Sequence, residues 1–76
     1  MEQLVRQMAE FLVDHPDQLA IERIERGATT VLALRAAAGD TGRLIGRQGR
    51  TARALRKVLA AAQRGQSRYI LDIVED

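Results

Sequence analysis

Along residues 2–14 the apolar positions Leu4, Met8, Phe11 and Leu12 recur at i, i+4, i+7 and i+8, with Glu2, Gln3, Arg6, Gln7 and Glu10 between them. That is the stripe of a helix that turns one face to a core. Pro16 biases His15 away from helical geometry and marks the stop. Residues 19–26 and 29–37 read as two strands of a hairpin around Gly27. In the second strand Thr30, Leu32, Leu34 and Ala36 point one way and Val31, Ala33 and Arg35 the other. Apolar residues on both faces predict a central strand. In the first, Ile21 and Ile24 break the alternation, which predicts a bulge or a frayed start. Glu22, Arg23, Glu25 and Arg26 suit an edge strand.

A short helix is predicted over 41–45, with Asp40 or Thr41 as its N-cap. A longer one follows over 50–63. Ala52, Leu55, Val58, Leu59 and Ala62 form its buried stripe, and Arg50, Arg53, Lys57 and Arg64 fall on another side. Gly65 is the expected stop. Residues 67–74 read as the last strand, with Tyr69, Leu71 and Ile73 alternating against Ile70, Asp72 and Val74. The order is α-β-β-α-α-β, an α+β class. A right-handed strand–helix–helix–strand crossover makes the second and third strands parallel. The expectation is one domain over 1–76: a three-stranded mixed sheet with helices on one face.

The stretch Asp40–Arg53 interrupts these rhythms. It holds Gly42, Gly46 and Gly49, with Arg43, Arg47, Arg50 and Arg53 interleaved. Gly46 and Gly49 bracket Arg47 and Gln48 in a tight turn where a missing Cβ lets another backbone come close. The helix that follows starts with free N–H groups, which attract anions together with the helix dipole. Arginine supplies a bidentate fork for phosphate. Leu44 and Ile45 give an apolar wall for an unstacked base. A dinucleotide-binding turn needs Gly-x-Gly-x-x-Gly directly after a strand; the spacing here is Gly-x-x-x-Gly-x-x-Gly after a helix. The phosphate loop of nucleotide hydrolases needs Gly-Lys-Ser/Thr, and Gly49-Arg50-Thr51 has Arg for Lys with the wrong glycine spacing.

Charge sharpens this picture. Residues 1–40 carry four Arg against seven acids, residues 41–71 seven Arg and one Lys against none, and residues 72–76 three acids. A basic middle between acidic flanks is the footprint of a polyanion site. Phe11 and Tyr69 are the only aromatic residues, so the core must be Leu, Ile, Val and Ala. The chain has no Cys, one His (His15) and one Ser (Ser67). That inventory offers no disulfide, no thiolate metal site and no nucleophile–base pair. No cofactor is implied. No apolar run approaches the roughly 20 residues of a membrane span, and the N-terminus lacks a basic-then-apolar leader pattern, so the cytoplasm is the expected compartment.

Leu44-Ile45-Gly46-Arg47-Gln48-Gly49-Arg50-Thr51-Ala52 resembles the signature of KH domains, apolar-Ile-Gly-x-x-Gly followed by a helix. KH modules clamp about four nucleotides of backbone at that loop. The longer match, Asp-x-Gly-Arg-x-Ile-Gly-Arg-Gln-Gly-Arg-Thr, resembles the small bacterial single-KH proteins of the KhpA family, and covers nearly the whole chain. The resemblance implies the type II KH fold and a non-catalytic protein that binds single-stranded RNA. It implies a site of Gly42, Arg43, Leu44, Ile45, Gly46, Arg47, Gln48, Gly49, Arg50 and Arg53. The second strand, around Val31–Arg35, would read base edges. It also implies a homodimer, or a heterodimer with a larger KH-containing protein, and an RNA-chaperone or regulatory role linked to cell-envelope growth and division. A second reading is a pairing module: Ala60-Ala61-Ala62 suits a close helix–helix contact.

Overall fold

Gly27 takes φ 60° and turns the chain back between two seven-residue strands, β1 (Ala20–Arg26) and β2 (Thr29–Arg35). The structure, a computed structural model, describes residues 1–63, 65 and 68–75. Arg64 and Ser67, assigned above to a helix face and a strand start, lie outside the described residues. The helix α1 (Glu2–Leu12) precedes the hairpin, joined to it through a single 3₁₀ turn at Pro16–Gln18. The helices α2 (Thr41–Ile45) and α3 (Arg50–Ala62) follow, and β3 (Arg68–Ile73) closes the order. β3 runs parallel to β2, and β1 antiparallel, so β2 is central. This is the α-β-β-α-α-β arrangement of the type II KH fold.

The core lies between one sheet face and the helices. Leu32 and Leu34 from β2 and Leu71 and Ile73 from β3 meet Leu44 of α2, Ala52, Leu55 and Leu59 of α3, and Val5 and Ala9 of α1. With no aromatic at its centre, the core depends on leucines interlocking at 0–2 % exposure: Leu32, Leu34, Leu44, Leu59 and Leu71. Removing any one of them would leave a cavity, typically costing about 2–5 kcal/mol.

The buried stripe of α1 is rotated from the expected one. Val5 and Ala9 face the core, helped by Met1, Met8 and Leu12, while Phe11 is 93 % exposed. At about 100° per residue, Phe11 and Leu4 fall together on the flank of that face. Ala9 is small and lets the helix approach closely, which no bulky stripe would reveal. The helix also ends before Pro16: Val13 is extended (ψ 157°) and buried.

β1 has no bulge. Its ladder runs unbroken from Ala20 opposite Arg35 to Arg26 opposite Thr29. Ile21 packs on the core and Ile24 stands on the other face, opposite Val31. On α3 the outermost apolar position, Val58, is 46 % exposed. Gly65 is not the stop of α3, because Gln63 already leaves the helix with ψ 141°. Gln63 then caps the outer edge of β3. Its Nε2 donates to the Tyr69 carbonyl at 2.9 Å, and the Tyr69 amide donates to its Oε1 at 3.0 Å. About two turns earlier, on α3, Arg56 Nε donates to the Leu71 carbonyl at 3.1 Å.

Candidate nucleic-acid interface

α2 ends where Gly46 takes φ 75° and ψ 172°, a region essentially reserved for glycine. The Gly46 amide donates to the Gly42 carbonyl at 2.8 Å, closing α2. A Cβ on Gly46 would collide with the Thr51 side chain and lie 2.9 Å from the Thr51 amide nitrogen. Arg47–Gly49 then form one 3₁₀ turn, closed by the Gly49 amide donating to the Gly46 carbonyl at 3.1 Å. Among the described residues Gln48 is the one non-glycine residue with positive φ, 57°. Left-handed backbone costs a side-chain-bearing residue about 1–2 kcal/mol, so the turn holds strain at its tip. Gly49, at φ 74°, sits at the N-cap of α3.

Arg47 and Gln48 project into solvent, as do Arg50 and Arg53. Arg53 folds back over the turn: a Cβ on Gly49 would come within 3.2 Å of its guanidinium. α3 has no side-chain cap and no acid in its first turn, so its leading amides keep their donor capacity. Among the described residues no acidic side chain pairs with Arg47, Arg50 or Arg53. Three cations and a helix start thus converge on one turn.

Arg43 is placed differently. Its guanidinium lies 3.0 Å from Asp14 and 3.8 Å from Asp40, so its charge is shared with two carboxylates. Asp40 occupies the N-cap position of α2 but makes no side-chain cap there. It points inward at 2 % exposure and accepts from the His15 amide at 2.9 Å, with His15 Nδ1 at 3.2 Å. Burial works against its charged form. The His15 and Asp14 amides and the His15 ring outweigh that, and hold the carboxyl below its ordinary range.

Beside α2 an open cleft of about 280 Å³ is lined by Ala36, Ala38, Thr41, Gly42, Ile45 and Glu75. Its walls are small or apolar, with one hydroxyl and one carboxylate. Leu44, expected in that wall, is instead fully buried beneath it; of the apolar pair only Ile45 faces the cleft. The strand backbone at Val31–Arg35 is also unavailable. β2 pairs on both edges, which commits its peptide groups to ladders. The cleft lies past the end of β2, where Ala36 and Ala38 leave room. Glu75 and Thr41 were missed by the sequence reading. The Ala36-Ala37-Ala38 run before Gly39 was the one signal of an open space there. Among the described residues no group of His, Asp and Glu side chains is arranged to hold a metal ion, and no helix is long and apolar enough to cross a membrane.

The family described as KhpA/KhpB, KH domain, matches residues 2–73. The chain belongs to that KH-domain family. Similar relatives span nearly its whole length. An "RNA-binding protein KhpA" of Halalkalibacterium halodurans is 42 % identical over 76 residues, covering 99 % of this chain and 100 % of the relative. Those of Treponema pallidum and Aquifex aeolicus are each 40 % identical. The first alignment covers 97 % of this chain and 94 % of the relative, the second 99 % and 96 %. No solved structure gives a significant match. The KH signature falls on the Gly46–Gly49 turn, so the family's defining loop is the one that gathers the unpaired arginines here.

Proposed function

We propose that this chain binds single-stranded RNA in the cytoplasm, as a KH unit without catalysis. The observation that carries the reading is the strained Gly46–Gly49 turn. It brings Arg47, Arg50, Arg53 and the uncapped start of α3 to one point, beside a cleft with an apolar wall. Phosphates sit on the turn and the arginines; a splayed base enters the cleft against Ile45. Backbone contacts of this kind set position, and the cleft carries what preference for sequence there is. The named relatives are RNA-binding proteins, which supports RNA as the polymer. The resemblance extends the reading to RNA chaperoning or regulation connected with cell-envelope growth and division. The test is titration of short single strands against blunt duplex at matched salt. Single strands should bind more tightly, with a log–log salt slope of about −0.7 per phosphate neutralised. Equal or tighter binding to duplex overturns the reading.

The second reading, pairing with itself or with a larger KH protein, is favoured by one observation. Ala54, Val58 and Ala61 are all exposed on the outer side of α3, at the i, i+4, i+7 spacing of one helix face. Sedimentation that shows a monomer at high concentration, with no co-purifying KH protein, would count against it.

A further inference from the structure

The sheet has a second face, which no helix among the described residues covers. The register places its side chains in rows across all three strands. Ile24, Val31 and Ile70 form the middle row, because Ile24 is opposite Val31 and Val31 is beside Ile70. None of the three belongs to the core, and Ile70 is 41 % exposed. On one side of them lies the row Arg26, Thr29, Arg68, and on the other Glu22, Ala33, Asp72. The four charged residues are exposed. Among the described residues none of them forms an ion pair. Like charges are thus grouped by row, with an apolar band between them.

We infer that this open sheet face is a self-complementary contact surface for a second copy of the chain. Take a two-fold axis along the Ile24–Val31–Ile70 row. Rotation about it lays each isoleucine and Val31 on its own counterpart. It also reverses the strand direction, so the basic row of one copy faces the acidic row of the other. Arg26 meets Glu22, and Arg68 meets Asp72, twice each. Sheets packed face to face accept such an arrangement with a modest rotation between strand directions. An isologous contact has this property by construction: one patch must complement itself.

The size of the face sets the strength. Three strands of six or seven residues present about 300 Å² on each copy, from the spacings of strands and residues. A stable interface needs about 800 Å² per partner. The sheet contact is therefore weak and concentration-dependent, and adds to pairing through α3 instead of replacing it. The face lies opposite the helices, so the glycine turn stays free in such a pair.

The experiment separates the two surfaces. Val58→Glu is made first, to remove any contact through α3, and the chain is sedimented at near-millimolar concentration and physiological salt. A weak self-association should persist in this variant. In the same background Arg26→Glu/Arg68→Glu and Glu22→Arg/Asp72→Arg should each become monomeric. One then has two acidic rows and the other two basic rows. An equal mixture of the two should associate again, since unlike rows now face each other. The single changes Arg68→Glu and Asp72→Arg replace a double variant that fails to fold. A monomeric Val58→Glu chain, charge variants that associate like their parent, or a mixture that gains nothing would each overturn the inference. None of these results touches the RNA reading, which is measured on the unmodified chain.

Discussion

The His15 amide donates to Asp40 Oδ2 at 2.9 Å, across 25 positions of sequence. The contact ties the segment after α1 to the first residue before α2. Asp40 also takes the ring of the same histidine, and Arg43 spans Asp40 and Asp14. The helix that ends in the glycine turn is thereby fixed at its start, by residues of the segment that follows α1.

Asp40→Ala should therefore lower the melting temperature by several degrees and leave the His15 amide without its acceptor. Its effect on RNA affinity should exceed that of Asp14→Ala, which removes only one arm of Arg43. The check is thermal unfolding alongside strand binding; an Asp40→Ala chain that melts like the parent rejects the anchoring role.

The same carboxylate makes stability depend on acid. Its folded pKa is held below the ordinary value of 3.8. A depressed folded pKa contributes stability that is present above the unfolded pKa and is lost as pH falls through the folded one. The expected loss thus begins as pH drops below about 4 and deepens further down. Asp40→Asn should flatten that part of the curve, as read from denaturant midpoints at successive pH values.

Arg47→Asp with Gln48→Asp should keep the fold and lose RNA. Three units of charge change at the turn, one cation lost and two anions gained. Exposed positions of this kind usually move stability by no more than about 0.5 kcal/mol, and Asp tolerates the left-handed backbone of residue 48. Each like-charge contact at about 4 Å costs about 1 kcal/mol in water. A drop of at least about tenfold, or 1.4 kcal/mol, is expected. Lys57→Asp, about two turns along α3, should weaken binding less. Unchanged affinity in the folded double variant would remove the turn from the site.

Two glycines should part company under the same change. Gly46→Ala forces a Cβ into Thr51 and into a backbone region closed to it. It should destabilise by at least about 1–3 kcal/mol. Gly42→Ala meets nothing within 4 Å and sits inside α2, so it should stabilise by about 0.5–1 kcal/mol. Yet Gly42 lines the cleft, so that variant should bind RNA less well while melting higher. Chemical denaturation and strand titration on both proteins decide it.

The elements whose side chains repeat with one period were legible in the sequence. Leu32 and Leu34 against Val31 and Ala33 announced a central strand, and the glycines announced the turn. What escaped was decided by approach distances. Ala9, not Phe11, marks the buried face of α1, because closeness favours the small residue. Leu44 and Ile45 look alike in a string, yet one is core and the other cleft, since neighbours in a helix point about 100° apart. Asp40 read as a cap because local chemistry allows it. A partner 25 residues away, invisible to any local pattern, won the carboxylate.

The partly covered edge of β3 has a consequence for how the chain is made. An unpaired strand edge templates the addition of other strands, and a protein emerging residue by residue exposes its edges before it is finished. Gln63 and Arg56 precede β3 in the chain. During synthesis, which runs from the N-terminus, both guards exist before the strand they shield. Once Tyr69 and Leu71 emerge, the Tyr69 amide and carbonyl and the Leu71 carbonyl have partners already waiting on α3 and at its end. A strand added last is thus partly covered as it is added, and its edge is a poorer template for neighbouring copies on a crowded ribosome cluster than an open strand would be.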